Sequence, residues 1–282
     1  MKQLICFSLL VLMTMGGWAE DNQNEPYSAE LVKKAEAGDA KAQRNLGACY
    51  CEGKGVPQDY KEAVKWYTKS AEQGLEVAQC NLGFCYFHGA GVAKDGKEAA
   101  KWLTKSAEQG NAWAQWGLGV CYAKGIGTAK DEKEAVKWYT KSAEQGNANA
   151  QYDLGACYSK GDGVTKDYKE AVKWYTKSAE TGEVYAQNNL AWVLSTSNDP
   201  NIRNGKEGEK WAQKAIANRG LTDAFGLDTL AATYAEQGDF AAAVATQEKA
   251  ISIYTKQDAS ISKELDDHLK SYQAKKPWRD NE

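Results

Sequence analysis

Nucleophiles, bases and metal donors are scarce in this chain and poorly grouped. Its 282 residues include two histidines, His88 and His268, and seven cysteines. Two isolated histidines cannot build a His-based cage, and His88 has no C-x-x-C spacing beside it that would suit zinc. No metal or cofactor is expected. Two segments imitate catalytic motifs. Gly91-Val92-Ala93-Lys94-Asp95-Gly96-Lys97 follows most of a phosphate loop, but Glu98 stands where a hydroxyl must reach the magnesium ion, and no strand precedes it. Ser260-Ile261-Ser262-Lys263 reproduces the S-x-x-K of penicillin-recognising enzymes without an S-D-N or K-T-G partner. Both are read as coincidence, and the chain is not expected to be an enzyme.

Composition agrees with that reading. The chain is 43% hydrophobic and 26% charged with four prolines, which suits one or two ordinary domains or one long repeat array. A net charge of −3 argues against a nucleic-acid binder. Residues 1–19 have the form of a secretory signal: Lys2, an apolar run from Leu4 to Met15, and small Gly17 and Ala19 at the cleavage positions. Cleavage after Ala19 removes Lys2 and takes the charge from −3 to −4. Cys6 sits inside the apolar run, not just after a cleavage site, which argues against a lipid anchor. The expected location is a bacterial periplasm or beyond. No later apolar stretch is long enough to span a membrane.

The body of the chain is a repeat of period 36: residues 35–70, 71–106, 107–142 and 143–178 align without gaps, and a fifth copy begins at Ala179 and departs after Leu190. Each copy reads as two antiparallel helices. In the first, helix A covers about Ala40 to Glu52 with Ala42, Leu46, Cys49 and Tyr50 on one stripe. Asp59 is a candidate N-cap for helix B, which runs to about Gln73 with Ala63, Trp66 and Tyr67 facing inward. Neither helix buries its stripe alone, so stacking must build the core. Ile126 and Thr128 replace the usual turn residues of the third copy, where a local loop change is expected.

The L-G-x-x-Y block, the G-x-G-V turn and the A-x-K-W-x-x-K-S-A-E-x-G run resemble the Sel1-like repeat family, a relative of the tetratricopeptide repeat, over about residues 35 to 195. Leu230, Ala231, Tyr234, Gly238, Phe240, Ala243 and Ala250 resemble a tetratricopeptide repeat proper. The fold class expected is all-α: a right-handed superhelical α-solenoid of stacked antiparallel helix pairs. The organisation is then a signal (1–19), an N-terminal segment with a capping helix (20–34), Sel1-like repeats (35–190), degenerate and tetratricopeptide-like repeats (191–256), and a polar capping helix with a loose tail (257–282). Ser28 to Glu36 is the expected N-terminal cap and 259–273 the C-terminal one, with His268 among its polar interruptions and the tail loose from Lys275. The acidic stretch from Glu20 to Glu25 is expected to be disordered.

Comparing the copies with one another separates packing from variation. Positions equivalent to Ala42, Gln43, Leu46, Cys49 and Tyr50 persist, whereas those equivalent to Lys41, Arg44, Ala48, Cys51 and Glu52 change. The changing set is spaced three or four apart and shares one helix face, and A helices line the concave side of such a solenoid. Lys41, Arg44, Val77, Cys80, Phe84, Phe87, His88, Trp113, Trp116, Val120, Tyr152, Tyr185, Asn188 and Trp192 fall on it. The partner-binding set is expected to be Lys41, Arg44, Phe84, Phe87, His88, Trp113, Trp116, Tyr152, Tyr185 and Asn188. These offsets match those through which the tetratricopeptide family contacts ligands, and exposed aromatics mark interaction sites. Twelve lysines, from Lys61, Lys65 and Lys69 to Lys169, Lys173 and Lys177, stripe the B helices. They are read as a solvated face whose alkyl stems cover Trp rings.

Cys49, Cys85, Cys121 and Cys157 hold one repeat position. Equivalent α-carbons of stacked helices stand roughly 9–10 Å apart, beyond the ~7 Å limit of a disulfide, so these four are expected to be buried thiols. A bridge between Cys51 and Cys80 stays open. Cysteine-rich members of the family pair cysteines between the two helices of a repeat; helix B has none here. The resemblance implies a protein or peptide ligand and a scaffold or adaptor role for an exported chain. An envelope glycan or β-lactam ligand is the alternative, since cysteine-rich relatives have been described as penicillin-binding.

Overall fold

The computed structural model describes residues 25–219, 224–254 and 259–280. The expected signal (1–19), Cys6 and the acidic run 20–24 lie outside the described residues. Two compact units divide at Asn147/Ala148. The first holds α1 (Ala29–Glu36), α2 (Ala40–Glu52), α3 (Tyr60–Glu72), α4 (Glu76–His88), α5 (Gly96–Glu108), α6 (Ala112–Lys124) and α7 (Glu132–Glu144). The second holds α8 (Ala148–Lys160), α9 (Tyr168–Glu180), α10 (Val184–Thr196), α11 (Gly205–Arg219), α12 (Ala224–Glu236), α13 (Phe240–Ile253) and α14 (Ala259–Gln273). Among the described residues there is no strand. Each unit is a run of stacked helix pairs, and the fold is an α-solenoid. The A helices are α2, α4 and α6 in the first unit and α8, α10 and α12 in the second; their B partners are α3, α5, α7, α9, α11 and α13.

The helix ends follow from side-chain chemistry. Asp59 Oδ1 accepts from the N–H groups of Lys61 (2.9 Å) and Glu62 (3.1 Å), and Asp95 and Asp131 repeat the cap on α5 and α7. Each such cap contributes about 1 kcal/mol. Ser70, Ser106 and Ser142 on the B helices donate to the first-turn carbonyls of Ala40, Glu76 and Ala112, at 2.6–2.7 Å. Gln43, Gln79 and Gln115 on the A helices reach back to the carbonyls of Ala35, Ala71 and Ala107 at the end of the preceding helix. The glutamines thus reach last-turn carbonyls, where a helix end runs short of intrahelical donors, while the serines add a second donor to first-turn carbonyls and tie the B helix to the start of its A helix.

Within a repeat the two helices touch at a glycine. A Cβ on Gly119 would lie 2.6 Å from the ring of Tyr139, and one on Gly47 would lie 2.7 Å from the ring of Tyr67. Gly83 meets Leu103 and Gly155 meets Tyr175 in the same way, and all four partners are buried. The turn glycine makes a second close approach. Gly127 has φ +71°, and a Cβ there would stand 1.8 Å from the carbonyl oxygen of Gly96 on the preceding B helix. The expected loop change in the third copy does not occur. Asp131 N–H still donates to Tyr122 O at 3.0 Å, as Asp95 does to Tyr86, and Ile126 packs beside Leu103, Leu118 and Cys121. Backbone contact between successive repeats leaves that turn no freedom to differ.

The C-terminal end departs from expectation twice. His268 does not interrupt a polar helix surface: it is 1% exposed, with Nδ1 2.8 Å from Asp228 Oδ1. Burial works against a charge on this imidazole, but the hydrogen bond and negative charge of Asp228 outweigh it and hold the pKa above the ordinary value. The tail beyond Lys275 is not loose as far as Asp280. Trp278 joins the cluster of Ala231, Ala232, Ala235, Ala243 and Tyr272, and Arg279 and Asp280 bond to α10 and α12. These partners lie 43 to 88 residues away in sequence, so no local pattern could announce them.

Gly119→Ala tests the glycine crossing. It gains helix propensity of roughly 1 kcal/mol but drives a methyl into the Tyr139 ring, and overpacking costs about 1–3 kcal/mol. The expected outcome is a net loss of stability in urea unfolding with an unchanged m-value.

Candidate functional site

In the first unit the changing face of α4 and α6 carries a continuous chain of rings. His88 stacks on Phe84 (6.3 Å between centroids) and meets Phe87 edge-on (5.0 Å). Phe84 lies 6.0 Å from Trp116, which in turn meets Trp113 edge-on at 5.9 Å. All five rings are half-buried, and Phe84, Phe87 and Trp113 pack against the core of Leu103, Leu118 and Cys121. Burial, with Lys94 nearby, lowers the pKa of His88, which favours a neutral, stackable ring at neutral pH. On α2 the equivalents of Phe84 and His88 are Ala48 and Glu52. A hollow of ≈ 270 Å³ opens beside them, lined also by Tyr27, Asn45 and Cys49.

In the second unit Tyr152 packs between Tyr175 (6.0 Å) and Tyr185 (6.2 Å), and burial pushes its phenol pKa well up. Asn188 is half-buried one turn from Tyr185, and its Oδ1 has no partner among the described residues. Trp192, on the same face, donates its indole N–H to Asp280 Oδ2 at 2.9 Å.

The expected binding residues therefore divide by environment. Lys41 is exposed, and Phe84, Phe87, His88, Trp113, Trp116, Tyr152, Tyr185 and Asn188 are half-buried. Arg44 is buried at 5% exposure, so it does not present its charge on an open face. Cys51, Val77, Cys80 and Val120, also on the changing face, are buried too. Variation between copies thus marks some positions where packing is adjusted as well as some that face outward. The sequence reading missed Gly117. Its equivalents are Asn45, Asn81, Asp153 and Asn189, and a Cβ there would lie 2.9 Å from the Phe84 ring. The glycine makes the space in which Phe84 settles beside α6. Its being the one glycine among five copies was the available signal.

The opposite face behaves as a solvated surface. Lys69, Lys105 and Lys141 place their ammonium groups 4.1–4.3 Å from the ring centres of Trp66, Trp102 and Trp138. Lys65, Lys101 and Lys137 pair with Glu62, Glu98 and Glu134 one turn away. The charge of this stripe is met locally, by glutamates and indoles of the same helices.

Comparison with known proteins follows the same architecture. The Sel1 repeat profile matches residues 40–75, 77–111, 114–147, 148–182 and 184–219, and a tetratricopeptide repeat profile matches 227–256. A Sel1 repeat protein from Oxalobacter formigenes is 32% identical, with a TM-score of 0.62 over 83% of this chain and 89% of that one. A protective antigen of uropathogenic Escherichia coli displaying an SLR fold is 31% identical, with a TM-score of 0.54; the match covers 89% of this chain and 60% of the antigen. No curated protein matches the chain significantly.

The cysteines bear on chemistry last. All six described cysteines are thiols, Cys51 and Cys80 included, and no His/Cys/Asp/Glu group among the described residues could hold a metal ion. Burial pushes Cys51 up to about 11 and Cys121 up to about 12, and drives Cys80 and Cys85 higher still. A thiol that stays protonated is a poor nucleophile. At pH 8, Ellman's reagent is expected to reach Cys80, Cys85 and Cys121 only as fast as the chain unfolds, with complete release in denaturant. Rapid native labelling at Cys80 contradicts this packing.

Proposed function

The chain belongs to the Sel1 repeat family, and from that premise we propose that it is an exported scaffold that binds a protein or peptide on the face carrying Phe84, Phe87, His88, Trp113 and Trp116. The observation that carries this reading is the ring chain itself. Five aromatic side chains touch one another in sequence while each keeps an open side. Rigid, half-seated aromatics lose little side-chain entropy on binding and bury large apolar area, which is why they recur as anchors of protein interfaces. The indoles of Trp66, Trp102 and Trp138, in contrast, lie under lysines of their own helices. Repeat solenoids of this kind are typical platforms for protein–protein contact.

Tyr152, Tyr185 and Asn188 extend the proposed face in the second unit, and Lys41 offers a cation in the first repeat. Arg44 serves the proposal only through packing. Export rests on Lys2, the apolar run to Met15 and the small residues Gly17 and Ala19. No helix among the described residues is long and apolar enough to cross a membrane.

The test is selection of peptides from a displayed random library against the full chain, followed by titration of the selected peptides. The Trp113→Ala/Trp116→Ala double variant is expected to lose at least about tenfold in affinity, as removal of a hot-spot pair does, with its unfolding midpoint within a few degrees of the parent. Peptide binding unchanged by the double variant, or binding confined to glycan fragments or a β-lactam, would remove the site.

A further inference from the structure

The second unit holds a segment of peptide against its A-helix face, and that segment is residues 278–280 of the same chain. Asp280 is held at both backbone groups and at one carboxylate oxygen. Its N–H donates to Thr196 O (3.1 Å), its carbonyl accepts from Asn198 Nδ2 (2.6 Å), and its Oδ2 accepts from Trp192 Nε1 (2.9 Å) and Thr196 Oγ1 (3.0 Å). Arg279 reaches Glu236 Oε2 (2.5 Å) and the carbonyl of Ser195 (3.2 Å). Glu236 is itself held by Arg203 Nε at 3.0 Å, so the acceptor stands in place independently of the tail. Trp278 lies 4.4 Å from the His268 ring and packs on the alanines of α12. Trp192 and Thr196 occupy the repeat positions that Phe84 and His88 occupy in the second copy.

We propose that this face is a peptide groove reading an aromatic–arginine–acid tripeptide, with Trp278-Arg279-Asp280 as its built-in occupant, displaced by a segment of another protein that presents the same three side chains. It is a second site and does not depend on the ring chain around Trp116. Three features favour exchange. The side chain and both backbone groups of Asp280 are read by hydrogen bonds, which is recognition of a strand-like ligand and not apolar filling. The joint before the tail is strained: Lys275 has φ +55°, the left-handed region in which a residue with a Cβ is disfavoured. Pro277 has no N–H to lose when the segment leaves. A short tether gives the tail an effective concentration in the millimolar range. An incoming segment therefore competes with it, and the groove opens only to a ligand that is concentrated or binds more tightly.

The experiment is anisotropy titration of a fluorescein-labelled peptide with the sequence of residues 274–282. Three full-length proteins are compared: the parent, the Trp278→Ala/Asp280→Ala variant with a weakened tail, and that variant carrying Trp192→Phe and Glu236→Gln. The weakened-tail protein is expected to bind at least about tenfold more tightly than the parent, because its cis competitor has lost the Trp278 packing and both Asp280 carboxylate contacts. The groove substitutions, or Asp→Ala in the peptide, should abolish the gain. Should the double variant fail to unfold cooperatively, Asp280→Ala alone removes the competitor's two side-chain contacts, to Trp192 Nε1 and Thr196 Oγ1, without touching the core. A folded weakened-tail protein that ignores the peptide overturns the proposal. So does exchange of tails between copies, seen as concentration-dependent dimer in the parent without capture of the peptide. Neither result bears on binding at Trp113 and Trp116.

Discussion

The A helix of each repeat can lie on its B helix only because the residue at the crossing has no side chain. Gly119 against Tyr139 and Gly47 against Tyr67 leave less than 3 Å for a Cβ, which no real contact of that kind tolerates. That approach fixes the pitch of the hairpin. The turn glycines then fix the distance to the next one, since Gly127 stands against the backbone of Gly96 and Gly91 against that of Tyr60. Serine and glutamine bonds from helix to carbonyl complete the frame, the glutamines at last-turn carbonyls where helix ends run short of donors and the serines as a second donor at first-turn carbonyls. With both contacts set, the chain has no choice about which helix faces turn inward.

What remains outward is divided by chemistry. The B helices carry indoles covered by lysines and lysines paired with glutamates, a surface that meets its own needs. The A helices of the first unit carry rings that satisfy one another and leave an edge open. In the second unit the equivalent face is bound already, with Asp280 on Trp192 and Thr196. A surface that holds a peptide in one place and open aromatics in another at the same repeat positions is what a family of binding scaffolds needs. The frame stays constant while the side chains on its A-helix face vary.

Much of this was legible in the residues. The period of 36, the extents of α2 and α3, and Asp59 as a cap follow from local rules, and the structure places them accordingly. The site was legible only in part. Arg44 and Cys80 vary between copies yet are buried, because an A helix in a stack has neighbours on several sides and a variable position can be a packing position. Gly117 passed unnoticed because its effect is felt by Phe84, a residue one repeat away. The tail and His268 were misjudged for a different reason. Their partners are distant in sequence, and a run of polar residues on a short helix looks the same whether it meets water or Asp228.

On the proposed function, the A-helix face reads the ligand while the B-helix face only packs. Hydroxyl-radical footprinting of the full chain, free and saturated with a selected peptide, tests it most directly. Trp113, Trp116 and Phe84 are expected to become protected on binding while Trp66 and Trp138 keep their rates. Protection at Trp66 and Trp138 with Trp113 and Trp116 unchanged would place the ligand on the lysine face and contradict it.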